Sequence, residues 1–533
     1  MKETYMNEQA LLDGLFAFLD GSVSPFHAAA AACRLLEEAG YTLCPESRPW
    51  KLEAGGRYYT TRNGTAVLAW RMPRGKLAGW HVTASHGDSP TWRLKVADIA
   101  EGGYLKAETE GYGGMIASTW MDRPLSVAGR LLVRTAAGVE TRLVAPDRAL
   151  LCIPNLCIHF DREANTGKAW NYQVDLQPIC GLDGGARLME VLAAEAGVAA
   201  EDILAHDLVL CTRQKAERVG VSGELFMSGR IDDLECAYTT LQGFLAGRGE
   251  EEGRADVWCM FDNEEVGSSS RQGAQGTLMA DTMARIEEAL GVSRDESVRA
   301  RANSLLLSAD NGHATHPNHP EKSDPRSPVK LGGGVLLKYN ASQTYTTSGL
   351  TAAAFQRICD KAGVAVQIFA NRADVRGGST LGNLLGHQIA IPMVDIGLAS
   401  WPCTRRWRRP AAPTPRRWPK PAPSFTTLPS SSPPTAPGTS GCERPGRAVR
   451  AQPQRAAASG QPGLQPAGLA VGQEPGRPDR PADRGPGRRP LSPRLRRSAG
   501  GGPALAGAGL GRGRLPRGAA RPLLPERVRG DLY

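Results

Sequence analysis

The sequence predicts an α/β protein with helices on both faces of a central sheet, interrupted by an inserted β-rich domain and followed by a disordered C-terminal tail. Three observations predict this class. Apolar strand-like runs alternate with amphipathic helical segments before Thr91 and again after Met227, which is typical of a sheet covered on both faces. Between those two residues, short strand-like runs and many glycines replace this pattern. The composition then changes abruptly near Ser400.

The first part of the chain predicts two helices and a hairpin. Apolar residues recur at helical spacing over residues 7–19. Ser24 and Pro25 supply a cap and a first-turn proline for a second helix. The Asn63-Gly64 pair between two apolar runs predicts a tight hairpin turn.

After the β-rich block, helical and strand-like segments alternate again. Helices are predicted over 233–247, 277–291 and 348–363, and strands over 256–262, 304–310, 334–340, 366–371 and 389–397. The chain therefore divides into an α/β domain in two parts (1–91 and 228–400), an inserted β-rich domain (92–227) and a low-complexity tail (401–533).

The basic charge of the chain belongs to its tail. From Trp401 onward there are 25 Lys and Arg against 6 Asp and Glu, a net charge of +19, whereas residues 1–400 carry 39 and 48, a net of −9. The formal charge of +10 therefore does not indicate a nucleic-acid partner for the body. The tail also holds 25 of the 39 prolines and few large aliphatic residues, so we expect it to be disordered.

Cysteine usage and the N-terminal segment predict a cytoplasmic protein. The 11 cysteines form no CxxC pair and are odd in number, which favours reduced thiols over a disulfide framework. The first twenty residues are acidic and amphipathic and lack the basic and apolar regions of a signal peptide. No stretch approaches the roughly 18 apolar residues of a membrane span, so no membrane partner is expected.

Four loops rich in acids and histidines each follow a strand-like run or precede a helix. They hold His86 with Asp88, Asp232 with Asp233, Glu264 with Glu265, and Asp310 with His313 and His316. Because ligands gather at the carboxyl ends of strands in open α/β sheets, these loops can converge. Neighbours in an extended strand face opposite sides, so Glu264 and Glu265 can share a site only where the strand has become a loop. The VGSSS segment after them allows this.

This mixture of side chains suits a pair of divalent metal ions. Each ion needs imidazole and carboxylate ligands and an open position for water or substrate, and one carboxylate commonly bridges the two. A separate carboxylate must take the proton from the attacking water. Each motif alone is weaker evidence. A histidine near an aspartate is more often an ordinary core or surface residue, and paired acids are more often a solvated face or a helix N-terminus.

Seven segments follow one another along the chain, and four of them contain these loops: SHGDSPTWRLK, GYGGMIASTWMDRPLSVAGRLLV, IPNLCIHFDREAN, SGRIDDL, FDNEEVGSSSRQGA, SADNGHATHPNHPEKSDP and KYNASQTYTTSG. Together they resemble the aspartyl aminopeptidase and vacuolar aminopeptidase I family of dinuclear zinc exopeptidases, from about Ser24 to Leu398. The resemblance implies a zinc-exopeptidase α/β domain interrupted by a β-rich dimerisation domain. It also implies a homo-oligomer, a tetrahedral dodecamer, that removes N-terminal residues from peptide substrates.

Carried over position by position, the resemblance implies two Zn²⁺ ions per subunit. His86 and Asp310 would hold one ion, and Glu265 would hold the other. Asp232 would bridge them. A zinc-activated water would attack the first peptide carbonyl.

The resemblance also implies roles for residues around the metals. Asp88 would orient His86, and Glu264 would be the general base. His159 resembles a histidine that the family lends to a neighbouring subunit's site, and His313 would lie near the substrate. Acidic-preferring relatives place a basic side chain before the strand at 334–340, where this chain reads Leu-Gly-Gly-Gly, so acidic and neutral or apolar N-terminal residues both stay open.

A histidine that the family's second zinc needs, in a late GLxxLAMHS segment, is missing from this chain. Residues 397–410 read GLASWPCTRRWRRP instead. Ser400 to Arg409 can be encoded as TCC TGG CCA TGC ACT CGG CGG TGG AGA CGG, where only the tryptophan codons are forced. Read from the third base of the serine codon, these bases give Leu-Ala-Met-His-Ser-Ala-Val-Glu-Thr. The histidine codon lies across Cys403 and Thr404.

We therefore hypothesise that one base was lost near Ser400 and that residues 401–533 are out of frame. A GC-rich gene read out of frame yields the Pro, Arg, Gly and Ala that dominate the tail. The second zinc would keep only Asp232 and Glu265 from protein, so the chain as written is expected to bind it weakly and to be inactive or nearly so.

Two other classes of function compete with an enzyme. A non-enzymatic particle subunit or pseudoenzyme would keep the shell-forming β domain while its site decays. A nucleic-acid role of the Arg-rich tail would use phosphate contacts. All three tryptophans of the tail precede Pro419 and form no spaced aromatic platform, so the out-of-frame explanation is favoured.

Overall fold

The structure, a computed structural model, describes residues 8–401 except 248, 250 and 251. The predicted disorder of the tail and the position of the missing histidine lie outside these residues. No helix in the described part of the chain is long and apolar enough to cross a membrane.

The N-terminal part contains the two helices and the hairpin that the sequence predicts. Its elements are α1 Glu8–Gly21, α2 Pro25–Glu38, β1 Thr42–Leu43, β2 Arg57–Arg62, β3 Ala66–Arg71 and β4 Gly79–His86. The Ser24 hydroxyl caps α2 by accepting the backbone N–H of His27. Asn63 and Gly64 both have positive φ, of 58° and 69°, which explains why this pair occupies the turn between β2 and β3.

The middle of the chain forms a separate six-stranded antiparallel sheet. Its elements are β5 Thr91–Glu101, β6 Tyr104–Tyr112, β7 Leu125–Thr135, β8 Gly138–Val144, β9 Ile179–Leu182, α3 Leu188–Ala196 and β10 Ile203–Thr212, followed by the small pair β11 Glu217–Val219 and β12 Leu225–Met227. The strand order is β8-β7-β10-β5-β6-β9. Helix α3, which the sequence analysis did not predict, packs Leu188 and Leu192 into the core of this sheet.

The last part returns to alternating helices and strands. Its elements are α4 Ile231–Ala246, β13 Arg254–Phe261, α5 Leu278–Ala289, α6 Arg294–Ala302, β14 Leu305–Ala309, β15 Gly312–His313, β16 Val335–Tyr339, α7 Gly349–Ala362, β17 Val366–Ala370, α8 Leu381–Leu385, β18 Met393–Gly397 and β19 Ala399–Ser400. The three predicted helices and five predicted strands are all present, with bounds that differ by a few residues. Helices α6 and α8 were not predicted.

A nine-stranded sheet joins the first and last parts. Its strand order is β1-β2-β3-β13-β4-β14-β18-β16-β17. Strand β4 pairs in parallel with β13 on one side and with β14 on the other. The carboxyl ends of these three strands therefore lie side by side at one edge of the sheet.

Helices cover both faces of this sheet, as predicted. On one face, Met283 and Ile286 of α5 pack with Trp70, Val82 and other buried residues of the central strands. On the other face, α1, α2 and α4 pack on Trp258 and Met260 of β13, and α7 packs on β14, β16 and β18. Burying apolar side chains on both faces is what stabilises a sheet with parallel central strands.

Candidate metal centre

The candidate site lies where the three parallel strands end. His86 is the last residue of β4, Asp310 directly follows β14, and the Glu264-Glu265 pair follows β13. Asp232 enters from the beginning of α4, on the return from the six-stranded sheet. The four loops that the sequence predicted to converge therefore meet at this edge.

Glu264 and Glu265 lie in a tight turn and not in the strand. Strand β13 ends at Phe261, and residues 264–266 form a single 3₁₀ turn flanked by positive φ at Asn263 and Gly267. The predicted break of the strand is confirmed. The backbone N–H groups of both glutamates donate to the Asp88 carboxylate, each at 3.1 Å.

The ring of His86 is held with one nitrogen toward the other acids. Its Nδ1 lies 3.1 Å from the backbone oxygen of Asp88 and 3.3 Å from Asp88 Oδ1. Both partners are acceptors, so Nδ1 carries the proton. Nε2 faces Asp232 Oδ1 at 3.6 Å and Glu264 Oε2 at 3.9 Å. In the neutral ring, this tautomer presents the Nε2 lone pair to a metal ion, which must displace the second proton that the neighbouring acids favour.

Asp233 belongs to the site although the sequence analysis gave it no role. One ligand atom each from His86, Asp233 and Asp310 lie within 4.8 Å of one another, and all three residues are buried. Asp233 Oδ2 also accepts the backbone N–H of His86 at 3.2 Å. Spacing along the chain could not separate Asp232 from Asp233, because adjacent acids at a helix start look alike in a sequence.

Negative charge accumulates in this buried space. Burial, reinforced by neighbouring carboxylates, raises the pKa of Glu264 to about 8 and the pKa of Glu265 well above its usual value. Burial likewise raises the pKa of Asp310 to about 6, against the lowering effect of Lys338. Burial lowers the pKa of His86, but hydrogen bonds to Asp232 and Asp88 outweigh it and the pKa ends well above its usual value.

A buried lysine that the sequence analysis did not single out lies beside the site. Lys338 is 1% exposed, and its Nζ lies 3.7 Å from Asp310 Oδ2 and donates to the Asn311 backbone oxygen at 2.9 Å. Its signal in the sequence was a single cation inside the apolar strand segment VLLKY. His313 is exposed at its surface, yet partial removal of its ring from water and then the Lys338 charge lower its pKa, so the histidine lies near the lysine.

The structure does not bring His159 to this site. His159 is exposed in the segment that follows the short bridge at Ile153. No hydrogen bond or ion pair recorded within the described residues joins it to the acids around His86. The role that the resemblance implies for this residue belongs to the site of a neighbouring subunit.

The donor set fits divalent zinc. One imidazole and several carboxylates meet in a space that removes them from water, and zinc takes nitrogen and carboxylate oxygen ligands. Burial is the first cause that raises the pKa of Glu264 and of Asp310, and neighbouring carboxylates such as Asp232 add to it, so the site lacks enough compensating positive charge. A divalent cation would supply that charge.

Comparison with known proteins gives one consistent family. The sequence matches the family described as Aminopeptidase I zinc metalloprotease (M18) over residues 18–403. A probable M18 family aminopeptidase 2 of Clostridium acetobutylicum is 38% identical over 402 residues, covering 73% of this chain and 92% of the relative. A protein of the same name from Pseudomonas aeruginosa is 38% identical over 401 residues, with the same coverage.

Solved structures share the fold. A chain in the cryo-EM structure of the Ape4 and Nbr1 complex matches with a TM-score of 0.72 and 30% identity, covering 76% of this chain and 83% of that chain. The M18 family aminopeptidase of Thermotoga maritima matches with a TM-score of 0.67 and 21% identity, covering 77% and 96%. The second likeness concerns the fold alone.

Proposed function

The chain belongs to the M18 family of zinc metalloproteases, and from this premise we propose that its buried site hydrolyses the N-terminal residue from peptides. One observation carries the proposal. Asp232 Oδ1 and Glu264 Oε2 lie 3.6 Å and 3.9 Å from the Nε2 atom of His86, at the edge where three parallel strands end. The curated relatives are named aminopeptidases, which supports an exopeptidase over an internal protease.

Two zinc ions are our proposal for the metal content. His86 and Asp310 would hold one ion, Glu265 would hold the other, and Asp232 would bridge them. Burial first, and then the neighbouring Asp232 carboxylate, raise the pKa of Glu265 and of Asp310, and this accumulation of acids supports the binding of cations here. Bound zinc polarises a peptide carbonyl and lowers the pKa of a coordinated water.

The remaining steps use the side chains of the protein. Glu264 is the general base of the proposal, because its Oε2 atom lies 3.9 Å from His86 Nε2, beside the proposed ligands, and its side chain is only 19% exposed. It would accept a proton from water and deliver it to the departing amine. Asp88 would keep the His86 ring in the tautomer that presents Nε2. His313 would contact the substrate near Lys338.

We also propose that the chain works as a homo-oligomer, a dodecamer, through the inserted domain 92–227. The segment around His159 exposes large apolar side chains to water, and this exposure costs free energy. Leu156 is 54% exposed, Phe160 79% and Val174 73%. A second copy covering this segment would bury them and would bring His159 to a neighbouring site.

The chain as written would lack one ligand of the second zinc. Its family match ends at residue 403, close to the predicted loss of a base at Ser400, and this supports a shifted frame. The second ion would then be weakly held and the activity low or absent. Resequencing the gene through the Ser400 codon tests the frame, and an intact reading with no base missing would remove this part of the proposal.

Zinc content and hydrolysis test the function directly. The chain as written is compared with a chain in which one base is restored at the Ser400 codon. We expect about two zinc ions per restored chain, and at least about 100-fold faster hydrolysis than the chain as written. Chromogenic substrates linked to Glu, Asp and Leu would identify the preferred residue. A restored chain that binds no zinc would overturn the proposed enzyme and favour a non-enzymatic particle subunit or pseudoenzyme. The ligand that is missing from the chain as written is the observation that favours this second candidate.

A further inference from the structure

A tyrosine from the six-stranded sheet reaches the metal centre of the other sheet. Tyr112 is the last residue of β6, and its hydroxyl lies 2.7 Å from Asp88 Oδ2. Asp88 is fully buried and also contacts the Nδ1 atom of His86. The tyrosine therefore touches the residue that holds the histidine, and not the metal ligands themselves.

The directions of the hydrogen bonds around Tyr112 are fixed by its neighbours. Asn263 Oδ1 accepts from the Ser270 hydroxyl at 2.7 Å and from Gln272 Nε2 at 2.9 Å. The amide nitrogen of Asn263 must then face the other way, where it donates to the Tyr112 oxygen at 2.8 Å. Because this bond uses the tyrosine oxygen as an acceptor, its single proton is donated to Asp88.

The residue after Tyr112 supports the site from the same side. Gly113 has φ +75°, and a Cβ atom built there would lie 2.9 Å from the Cβ of Glu265. A side chain therefore cannot be placed at residue 113 without moving the glutamate or the strand end. The end of β6 thus contacts both Asp88 and the Glu264-Glu265 turn.

We infer that Tyr112 is a positioning residue, which holds the Asp88 carboxylate so that Asp88 can hold His86 for zinc. The inference rests on the proposed function, because it assigns zinc to His86. Asp88 accepts from Tyr112 and from the backbone of Glu264 and Glu265. Besides the His86 ring itself, the Tyr112 hydroxyl is the side-chain donor to Asp88 that the described residues supply, and it comes from the six-stranded sheet. Removing it leaves Asp88 Oδ2 with a single backbone donor and leaves the Asn263 amide without its acceptor.

The test removes one oxygen and measures zinc affinity. Tyr112→Phe keeps the ring and its packing, so we expect the metal-free protein to melt within a few degrees of the original chain. We expect zinc affinity, measured by competition with a chelator on the full chain, to fall about tenfold, because partners outside the ligand set typically change metal affinity by about 10–100-fold. Tyr104→Phe is the matched control, because it removes a hydroxyl from an exposed tyrosine at the other end of β6.

Two outcomes separate this inference from the function on which it rests. If Tyr112→Phe binds zinc within about threefold of the original chain while His86→Ala loses it, the positioning role is wrong and the metal assignment stands. If His86→Ala retains full zinc affinity, the metal assignment itself fails. A tenfold loss in Tyr112→Phe, with Tyr104→Phe unchanged, supports the role of the tyrosine.

Discussion

The Nδ1 atom of His86 lies 3.3 Å from Oδ1 of Asp88 at the end of strand β4, and the two side chains are 1% and 0% exposed. This contact determines which ring nitrogen of His86 can coordinate a metal ion. It also links the histidine to the Glu264-Glu265 turn, because the same carboxylate accepts both backbone N–H groups of that turn. One buried carboxylate thus organises the ends of β4 and β13.

Neutralising this carboxylate is expected to weaken zinc binding. In Asp88→Asn the amide offers one acceptor atom in place of two, so some of its partners lose their bond. We expect zinc affinity to fall by about 10–100-fold, measured by competition with a chelator. Asp183→Asn, an exposed carboxylate near the edge of the six-stranded sheet, is the control. Unchanged affinity in Asp88→Asn would contradict the orienting role.

Replacing the proposed base is expected to separate catalysis from metal binding. Glu264→Gln in the frame-restored chain should lower kcat by about 10²–10⁴-fold, because general base catalysis typically contributes that much. Its zinc content should stay near that of the unmodified restored chain. Glu265→Gln should instead lose the second ion. Equal kcat values for Glu264→Gln and the unmodified chain would exclude Glu264 as the base.

The metal-free protein is expected to become less stable as the pH rises from about 5 to 8. Burial raises the pKa of Asp310 to about 6 and of Glu264 to about 8, above their values in an unfolded chain. In this window the folded state binds more protons than the unfolded state, so the free energy of unfolding falls as the pH rises. The slope is at most about 1.4 kcal/mol per pH unit for each group.

Thermal melting with a chelator present measures this pH dependence. Added zinc should reverse the trend, because a cation favours the ionised carboxylates, and its stabilising effect should grow with pH. Glu264→Gln should flatten the slope above pH 6. A melting temperature that rises between pH 6 and 8 without metal would show that the buried carboxyl groups do not control stability there.

An alanine at residue 113 is expected to disturb the site as well as the fold. Gly113→Ala adds both backbone strain at φ +75° and a contact of 2.9 Å with the Cβ of Glu265. The strain alone costs about 1–2 kcal/mol. Gly102→Ala has positive φ but open space, and Gly114→Ala has neither cost, so these two are graded controls.

Melting temperature and the zinc content of the restored chain distinguish the three alanine variants. Gly114→Ala should resemble the original chain, and Gly102→Ala should lose stability alone. Gly113→Ala should lose stability and bind the second zinc ion more weakly, because Glu265 must move. If Gly113→Ala binds both ions as the original does, the strand end does not support the glutamate.

Most of the fold could be predicted from the sequence, because its local signals agree with one another. The Asn63-Gly64 turn and the Ser24 cap were predicted from the residues that make them. Helix α3 and helix α8 were missed because they have only nine and five residues. Their stability comes from packing that the local pattern does not reveal.

The candidate site was predictable only in part. The four loops were visible as polar interruptions at strand ends, and the structure brings them together. Asp233 was named in its loop but given no role, and Lys338 and Tyr112 were not identified, because the importance of these residues depends on distances across the chain. Tyr112 lies 24 residues from Asp88 and belongs to the six-stranded sheet, whereas Asp88 lies in the loop after β4 of the nine-stranded sheet.

The two crossings between the sheets set a limit on how far this protein could be reduced in size. Where the chain passes from β4 to β5 of the six-stranded sheet, Asp88 lies three residues before β5 begins. Where the chain returns from β12 to α4, Asp232 lies five residues after β12 ends. A miniaturised version that joined residue 90 directly to residue 228 would cut the chain beside both carboxylates and would discard Tyr112. Any such redesign must rebuild these anchors from new loops before a shorter enzyme could work.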